Sequence, residues 1–322
     1  MGTAVRAPER SPGGEPGSPA VAFWEAVGAA ADRWTTLRVV EAGLAPSQVL
    51  SSTVGRLGPR YVRVAPTNAI EAATEGCRPG GPVLLGAPVP FFFESAFPDL
   101  VRSLLFPRAN VKLVGFPPEP GPAGSVVPSP VRDDLGTMRG LPSMTVVAPA
   151  DGPSTRAATL ELAGRAGPAY LRLPDPDAPA VTPGTFVPGR FLELRSGNDL
   201  AVIALGRTVA LALELADDLK RVGLDVRVLD AASVQPLDEA AVLRAARDTG
   251  AILVLEPGPL GSGIGALVAA MTAENYPVPV RRVGPPELWE DLAKGSRAQE
   301  PGAGERVRDE AWELLRLRGR VP

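Results

Sequence analysis

The residues with the most chemical potential in this chain fall into small, separated groups. They are Gly261-Ser262-Gly263-Ile264-Gly265-Ala266, the pair Asp133-Asp134, the serines Ser47, Ser51 and Ser52, the single Cys77, and the run Phe91-Phe92-Phe93. The glycine group satisfies G-x-G-x-x-A, the turn that brings backbone amides up to a dinucleotide pyrophosphate. Two features oppose that reading: Pro257 to Leu260 separate the glycines from the preceding apolar run, and Arg281-Arg282 stand where an acid would hold the ribose. Adjacent aspartates without further ligands read as a loop or a helix N-terminus, so no metal site is expected. The serines read as caps and turns. With 0 histidines, the chain cannot build a Ser-His-Asp triad, a histidine base or a histidine-ligated metal site. The three phenylalanines read as the end of a core strand, where alternation would let at most two share a face.

The elements that must position these groups are legible in the pattern. The 322 residues suggest about two domains. The net charge of −3 offers no field to nucleic acid. No run of about eighteen apolar residues predicts a membrane span, and the lone Cys77 excludes an intrachain disulfide, so a cytoplasmic location is expected. Residues 1–20, rich in Pro, Gly, Ser and charge, read as a disordered tail. The Pro-rich stretch Pro174 to Pro188 separates two α/β regions, giving a first domain over 21–178, a linker over 179–195 and a second domain over 196–322. In the first, strands are predicted at 37–40, 61–64, 83–85, 111–114, 145–147 and 170–173, and helices at 21–33, 68–77, 97–105 and 154–165. Gly115 to Ser129 is its longest stretch without a pattern. In the second, strands at 200–205, 226–229, 251–255 and 278–283 alternate with helices from Thr208, from the N-cap Asp238, and over 264–273. Strict alternation predicts parallel sheets covered on both faces, two doubly wound α/β domains. Arg306 to Arg320 reads as a docking helix with Ala311, Leu314 and Leu315 inward.

Four segments carry a resemblance. Met144 to Asp151 (MTVVAPAD), Pro168 to Leu173 (PAYLRL), Val228 to Asp238 (VLDAASVQPLD) and Thr249 to Gly265 (TGAILVLEPGPLGSGIG) resemble, in order and spacing, the C-terminal half of the transketolase family. The resemblance covers roughly residues 22 to 295. It implies a thiamine diphosphate pyrimidine-binding domain followed by a C-terminal domain, and the transfer of a two-carbon ketol unit. In that family an N-terminal domain with a Gly-Asp-Gly motif holds the diphosphate and Mg²⁺; this sequence has no Gly-Asp-Gly triplet. The resemblance therefore implies a split enzyme, with a partner chain carrying that domain, an α2β2 heterotetramer, and the pyrimidine side of the cofactor on this chain. Two alternatives stay open: a catalytically degenerate scaffold that stabilises an active partner, and a related synthase or dehydrogenase-type β subunit.

The resemblance also assigns residues. Laying Arg60 to Val64 on the family's Arg-Phe strand puts Asn68 at the position of the glutamate that drives the aminopyrimidine's proton exchange. An amide hydrogen-bonds but cannot exchange that proton. Glu71 and Glu75 nearby read as surface helix charges. Phe91, Phe92 and Phe93 fall where the ring-stacking aromatic belongs, Phe93 matching best. Val131 to Arg139 (VRDDLGTMR) keeps the family's stretch after its Thr-His-Gln segment, but Pro128-Ser129-Pro130 takes the histidine's place. Asp175 and Ser95 stand near the two sugar-phosphate arginines. A carboxylate facing a phosphate costs about 1–4 kcal/mol at about 4 Å, so an ordinary sugar phosphate is disfavoured. Glu256-Pro257 and the glycine turn are implied to pack at a subunit contact.

Overall fold

A computed structural model describes residues 17–43, 50–77, 81–94, 96–117, 133–284 and 303–321. They group into two compact units, one drawn from Met1–Asp134 and Leu141–Phe186, the other from Leu135–Gly140 and Val187–Pro322.

The first unit begins with helix α1 (Pro19–Arg33), capped by Ser18 with proline at its first position, where a missing N–H costs nothing. Pro19 and Ala20 are thus helical, not tail; residues 1–16 lie outside the described residues. Then come β1 (Arg38–Ala42), α2 (Ser51–Leu57), β2 (Tyr61–Val64), α3 (Ala69–Cys77), β3 (Val83–Pro88), α4 (Val89–Glu94) and α5 (Phe97–Leu100). After α5 the chain widens into a π turn over Val101–Leu105, so the single helix expected over 97–105 is broken. Strand β4 (Val111–Phe116), β5 (Thr145–Val147), α7 (Gly152–Gly164) and β6 (Ala169–Arg172) follow; between β4 and β5, Asp134 opens α6 (Asp134–Arg139), whose remaining residues group with the second unit. Residues 118–132, most of the stretch without a pattern, lie outside the described residues.

These strands stand in the order β5-β6-β4-β3-β1-β2 and pair in parallel throughout. The reason is written in β3 and β4, whose first five residues are all buried: a strand apolar on both faces needs helices on both. One face carries Val39, Leu84, Val114, Val147 and Leu171 into a core with Phe23, Trp24 and Val27 of α1 and Ala158 and Leu162 of α7. Trp24 lies stacked on Phe116 with centroids 6.1 Å apart, and Phe23 meets Trp24 edge-on at 4.8 Å. Phe23 and Trp24, each 1% exposed, stabilise the fold by about 1.5–3 kcal/mol apiece. Gly86 allows this arrangement, since a Cβ there would sit 3.1 Å from the Phe116 ring.

Three polar groups tie the unit together. Arg60 donates to the carbonyls of Ala31, Trp34 and Thr35 at the end of α1 and of Arg56 and Leu57 at the end of α2. A cation beside helix C-termini is favoured by both the hydrogen bonds and the helix dipoles. Lys112, 1% exposed, donates to Asn110 Oδ1 at 2.8 Å and to the carbonyls of Arg165 and Gly167. Asp151, fully buried, caps α7 through Ser154 and also accepts from the backbone amides of Val181 and Thr182.

The second unit contains β7 (Leu192–Arg195), β8 (Leu200–Ala204), α8 (Thr208–Lys220), β9 (Val226–Asp230), β10 (Ser233–Gln235), α9 (Glu239–Thr249), β11 (Ile252–Leu255), α10 (Ile264–Asn275), β12 (Val280–Val283) and α11 (Ala303–Leu317). Five of its strands form a sheet in the order β12-β11-β8-β9-β7. All pairs are parallel except β7, which runs antiparallel to β9 with a register shift between Glu193 and Arg195. Strict alternation missed β7, because four half-exposed and exposed residues (LELR) leave no apolar run to read. Asp238 caps α9 as expected, accepting from Ala241 N at 2.9 Å, and Gly250 ends it at φ 67°. In α11, Ala311, Leu314 and Leu315 are buried, as the docking reading required.

Candidate functional site

The path of the first sheet picks out one place on it. From β1 the chain steps outward to β2, then returns to the other side of β1 to lay down β3, then β4. The strand order reverses between β1 and β3, and in open parallel sheets the carboxyl ends of the strands at such a reversal are where ligands bind. Glu41 of β1 pairs in register with Gly86 of β3 at that edge.

Glu41 is 8% exposed, the one carboxylate on β1. The Tyr61 hydroxyl donates to its Oε2, and Arg63 Nε lies 4.0 Å from Oε1. Register explains the meeting: Val39 opposes Tyr61 and Glu41 opposes Arg63, so all three polar groups point to one face. Nothing in the pattern singled Glu41 out, a lone charge within an apolar strand.

Asn68 ends a 3₁₀ turn, Pro66–Asn68, at the carboxyl side of β2 and leads into α3. It is exposed, and the Thr67 hydroxyl donates to its Oδ1 at 3.1 Å. Glu71 and Glu75 are exposed on α3, as expected, and with Asp99 they border an open depression of about 300 Å³.

Phe91, Phe92 and Phe93 lie on α4, directly after β3, and not on a strand. Pro90 accounts for the difference: it is tolerated in the first turn of a helix and excluded from a central strand. Helical spacing turns neighbouring side chains about 100° apart, so strand alternation no longer sorts the rings. Phe91 and Phe92 are buried, meeting edge-on at 5.6 Å, while Phe93 is half-buried and stacks on Phe97 at 6.0 Å with planes 23° apart. Tyr170 of β6 presents its ring edge-on to both Phe92 and Phe93, each at 6.3 Å. The structure thus gathers the three phenylalanines into one aromatic group, while Asn68 stands after β2, on the far side of β1 from β3.

Beneath these rings sits a polar group that sequence reasoning missed. The Tyr170 hydroxyl donates to Asp134 Oδ2 at 2.7 Å, and Arg172 Nε reaches the same oxygen at 3.1 Å. Burial, then the neighbouring Asp134 charge, holds the Tyr170 hydroxyl well above its ordinary pKa, so it stays a donor. Asp134 in turn raises the Arg172 guanidinium, with Asp175 adding to the effect. The charge of Asp175 therefore already has a cation beside it. Asp133-Asp134 does mark a helix N-terminus, since α6 starts at Asp134.

In the second unit, Glu256 follows β11 and is 2% exposed. Gly265 N donates to its Oε2 at 3.4 Å, and a Cβ on Gly263 would lie 1.8 Å from that oxygen. The glycine turn is thus filled by a carboxylate of the chain itself, the wrong charge for a pyrophosphate cradle.

Comparison with known proteins places the chain. The family model described as "Transketolase, C-terminal domain" matches residues 189–300. The chain is 36% identical to the 6-deoxy-6-sulfo-D-fructose transketolase subunit SqwH of Clostridium sp. (strain MSTE9), over 58% of each protein. The match thus spans little more than half of that relative's length. It is 30% identical to an apulose-4-phosphate transketolase subunit of Phocaeicola vulgatus, over 70% of this chain and 72% of the relative. Among solved structures it is similar to a split-gene transketolase described as an inactive beta4 tetramer, with a TM-score of 0.81 and 30% identity over 93% of this chain and 98% of that one. A parallel α/β sheet with its aromatic group beside the strand-order reversal, and these relatives across most of its length, together show that the chain belongs to the transketolase family.

Proposed function

We propose that this chain is the C-terminal-half subunit of a split transketolase-like enzyme, moving a two-carbon ketol unit on thiamine diphosphate. A second chain would carry the diphosphate and Mg²⁺, in an α2β2 assembly. The supporting observation is the aromatic group on α4, at the carboxyl edge beside the β1–β3 reversal, with Phe93 only half-buried. Relatives named as transketolase subunits support the division of labour.

The residues fit that cofactor in part. A half-buried phenylalanine backed by Phe97 and Tyr170 suits an uncharged heteroaromatic ring. The acid that such a ring needs for proton exchange does not fit: Asn68 is an exposed amide, and Glu71 and Glu75 are exposed helix charges. This misfit favours a second reading, a scaffold subunit that completes and stabilises a partner without activating the cofactor.

Titrating Mg²⁺ and thiamine diphosphate calorimetrically into the complex with a diphosphate-domain chain separates these readings. Cofactor binding with ketol transfer supports the enzyme, whereas a stable complex blind to the cofactor supports the scaffold. In Asn68→Glu, faster exchange of the thiazolium C2 proton is expected, and an unchanged rate would mean position 68 is not the acid's place. A chain that stays unassociated in size-exclusion chromatography would count against both readings.

A further inference from the structure

We propose that Asp134 is a positioning residue for the aromatic group: its carboxylate fixes the Tyr170 ring, and the Tyr170 ring fixes the plane of Phe93. The inference rests on the reading of Phe93 as the wall for the cofactor's pyrimidine.

Three elements converge to make this arrangement. Asp134 heads α6, Tyr170 lies in β6, and Phe93 lies on α4. Tyr170 is fully buried and Asp134 is 3% exposed, so their 2.7 Å hydrogen bond is shielded from water. Arg172 Nε, at 3.1 Å, pairs with the same carboxylate oxygen. The hydroxyl is also seated sterically: a Cβ at Gly115 would come within 2.6 Å of Tyr170 Oη and 3.0 Å of Val89 Cγ2, the residue that opens α4. Held at its tip, the Tyr170 ring meets Phe92 and Phe93 in edge-to-face contacts, with planes 83° and 88° apart. Phe93 is thus in contact with two rings, Tyr170 at 6.3 Å and Phe97, stacked with planes 23° apart, at 6.0 Å. Edge-to-face contacts depend on angle, because the positive ring edge must meet the negative face, so loosening the Tyr170 tip loosens Phe93. A half-buried ring held this way is preorganised for a flat ligand.

The test uses the full chain with 4-fluorophenylalanine at position 93, observed by ¹⁹F NMR. Tyr170→Phe keeps the ring and drops the hydroxyl, and Asp134→Asn is isosteric, so both preserve the core volume. Asp151→Asn serves as a control that perturbs the same unit away from the rings. The expected result is a moved and broadened resonance in Tyr170→Phe and Asp134→Asn and an unmoved one in the control. An unmoved resonance in the first two, or an equal movement in the control, overturns the proposal. A second arm measures thiamine diphosphate with Mg²⁺ on the complex with the diphosphate-domain chain. There, affinity should fall about fivefold to tenfold in both variants. A moved resonance with undiminished affinity also overturns the proposal. A wild-type complex that binds no cofactor instead defeats the underlying reading of the wall, while the NMR arm still decides whether Asp134 holds Phe93.

Discussion

Replacing Asp151 with alanine tests whether one buried carboxylate joins two parts of the first unit. Its Oδ1 accepts from Ser154 N at 2.8 Å, Ser154 Oγ at 2.7 Å and Thr182 Oγ1 at 2.8 Å, and its Oδ2 accepts from Val181 N and Thr182 N, both at 2.7 Å. Loss of the α7 cap costs about 1 kcal/mol. Stranding two amides costs about 1–3 kcal/mol each when fully buried, and nearer about 1 for the half-buried Val181 and Thr182, which water can reach. The expected total is about 3 kcal/mol. Thr182→Val, which removes a single hydroxyl contact, should cost about 1 kcal/mol. Asp151→Asn, which keeps one acceptor oxygen, should fall between the two. Hydrogen exchange read on peptides covering 152–164 and 176–186 suits a chain of two units better than one global melt. Both peptides should lose protection together in Asp151→Ala. Loss confined to α7, or a cost below about 1 kcal/mol, would refute the claim that the carboxylate joins the two segments.

Two further outcomes follow from other buried groups. Burial lowers Lys112 to about 8, whereas the unfolded side chain titrates near about 10.4. The unfolded chain therefore binds more protons between these values, so this group's share of stability rises as pH climbs from about 8 to about 10. Burial raises Cys77 to about 11, and its share falls as pH climbs above about 9, so the wild type alone mixes opposite slopes. The urea midpoint of wild type relative to Lys112→Met should shift in the wild type's favour across that range, and a constant gap would count against the shift. In the second unit, Gly263→Ala would force a Cβ to 1.8 Å from Glu256 Oε2, whereas Gly258→Ala meets nothing within 4 Å. The first should lose at least about 2 kcal/mol in a urea titration and the second close to none; equal effects would show that the turn shifts freely.

Much of the fold was legible because its strands are apolar on both faces and its helices carry their own signals. Leu200–Ala204 and Ile252–Leu255 are fully buried runs, and Asp238 and Gly250 bracket α9 as such residues should. What stayed hidden depends on distance along the chain. Glu41 meets Tyr61 across 20 residues through strand register, and Tyr170 of a strand meets Asp134 at a helix start across 36, contacts that no local pattern encodes. The aromatic run was visible as a group but placed on the wrong element, because one proline decided between strand end and helix. Asn68 illustrates the limit in the other direction: its place after β2 was readable, but its exposure follows from the 3₁₀ turn that lifts it into solvent.

The guanidinium of Arg60 links stretches of chain 25 to 29 residues apart, and three of its five acceptors belong to the end of α1 and the residues after it. Shortening the chain past Thr35 would leave the guanidinium only the carbonyls of Arg56 and Leu57 at the end of α2. Anyone trimming this protein for expression should therefore expect damage well downstream of the cut, at the doorway into β2.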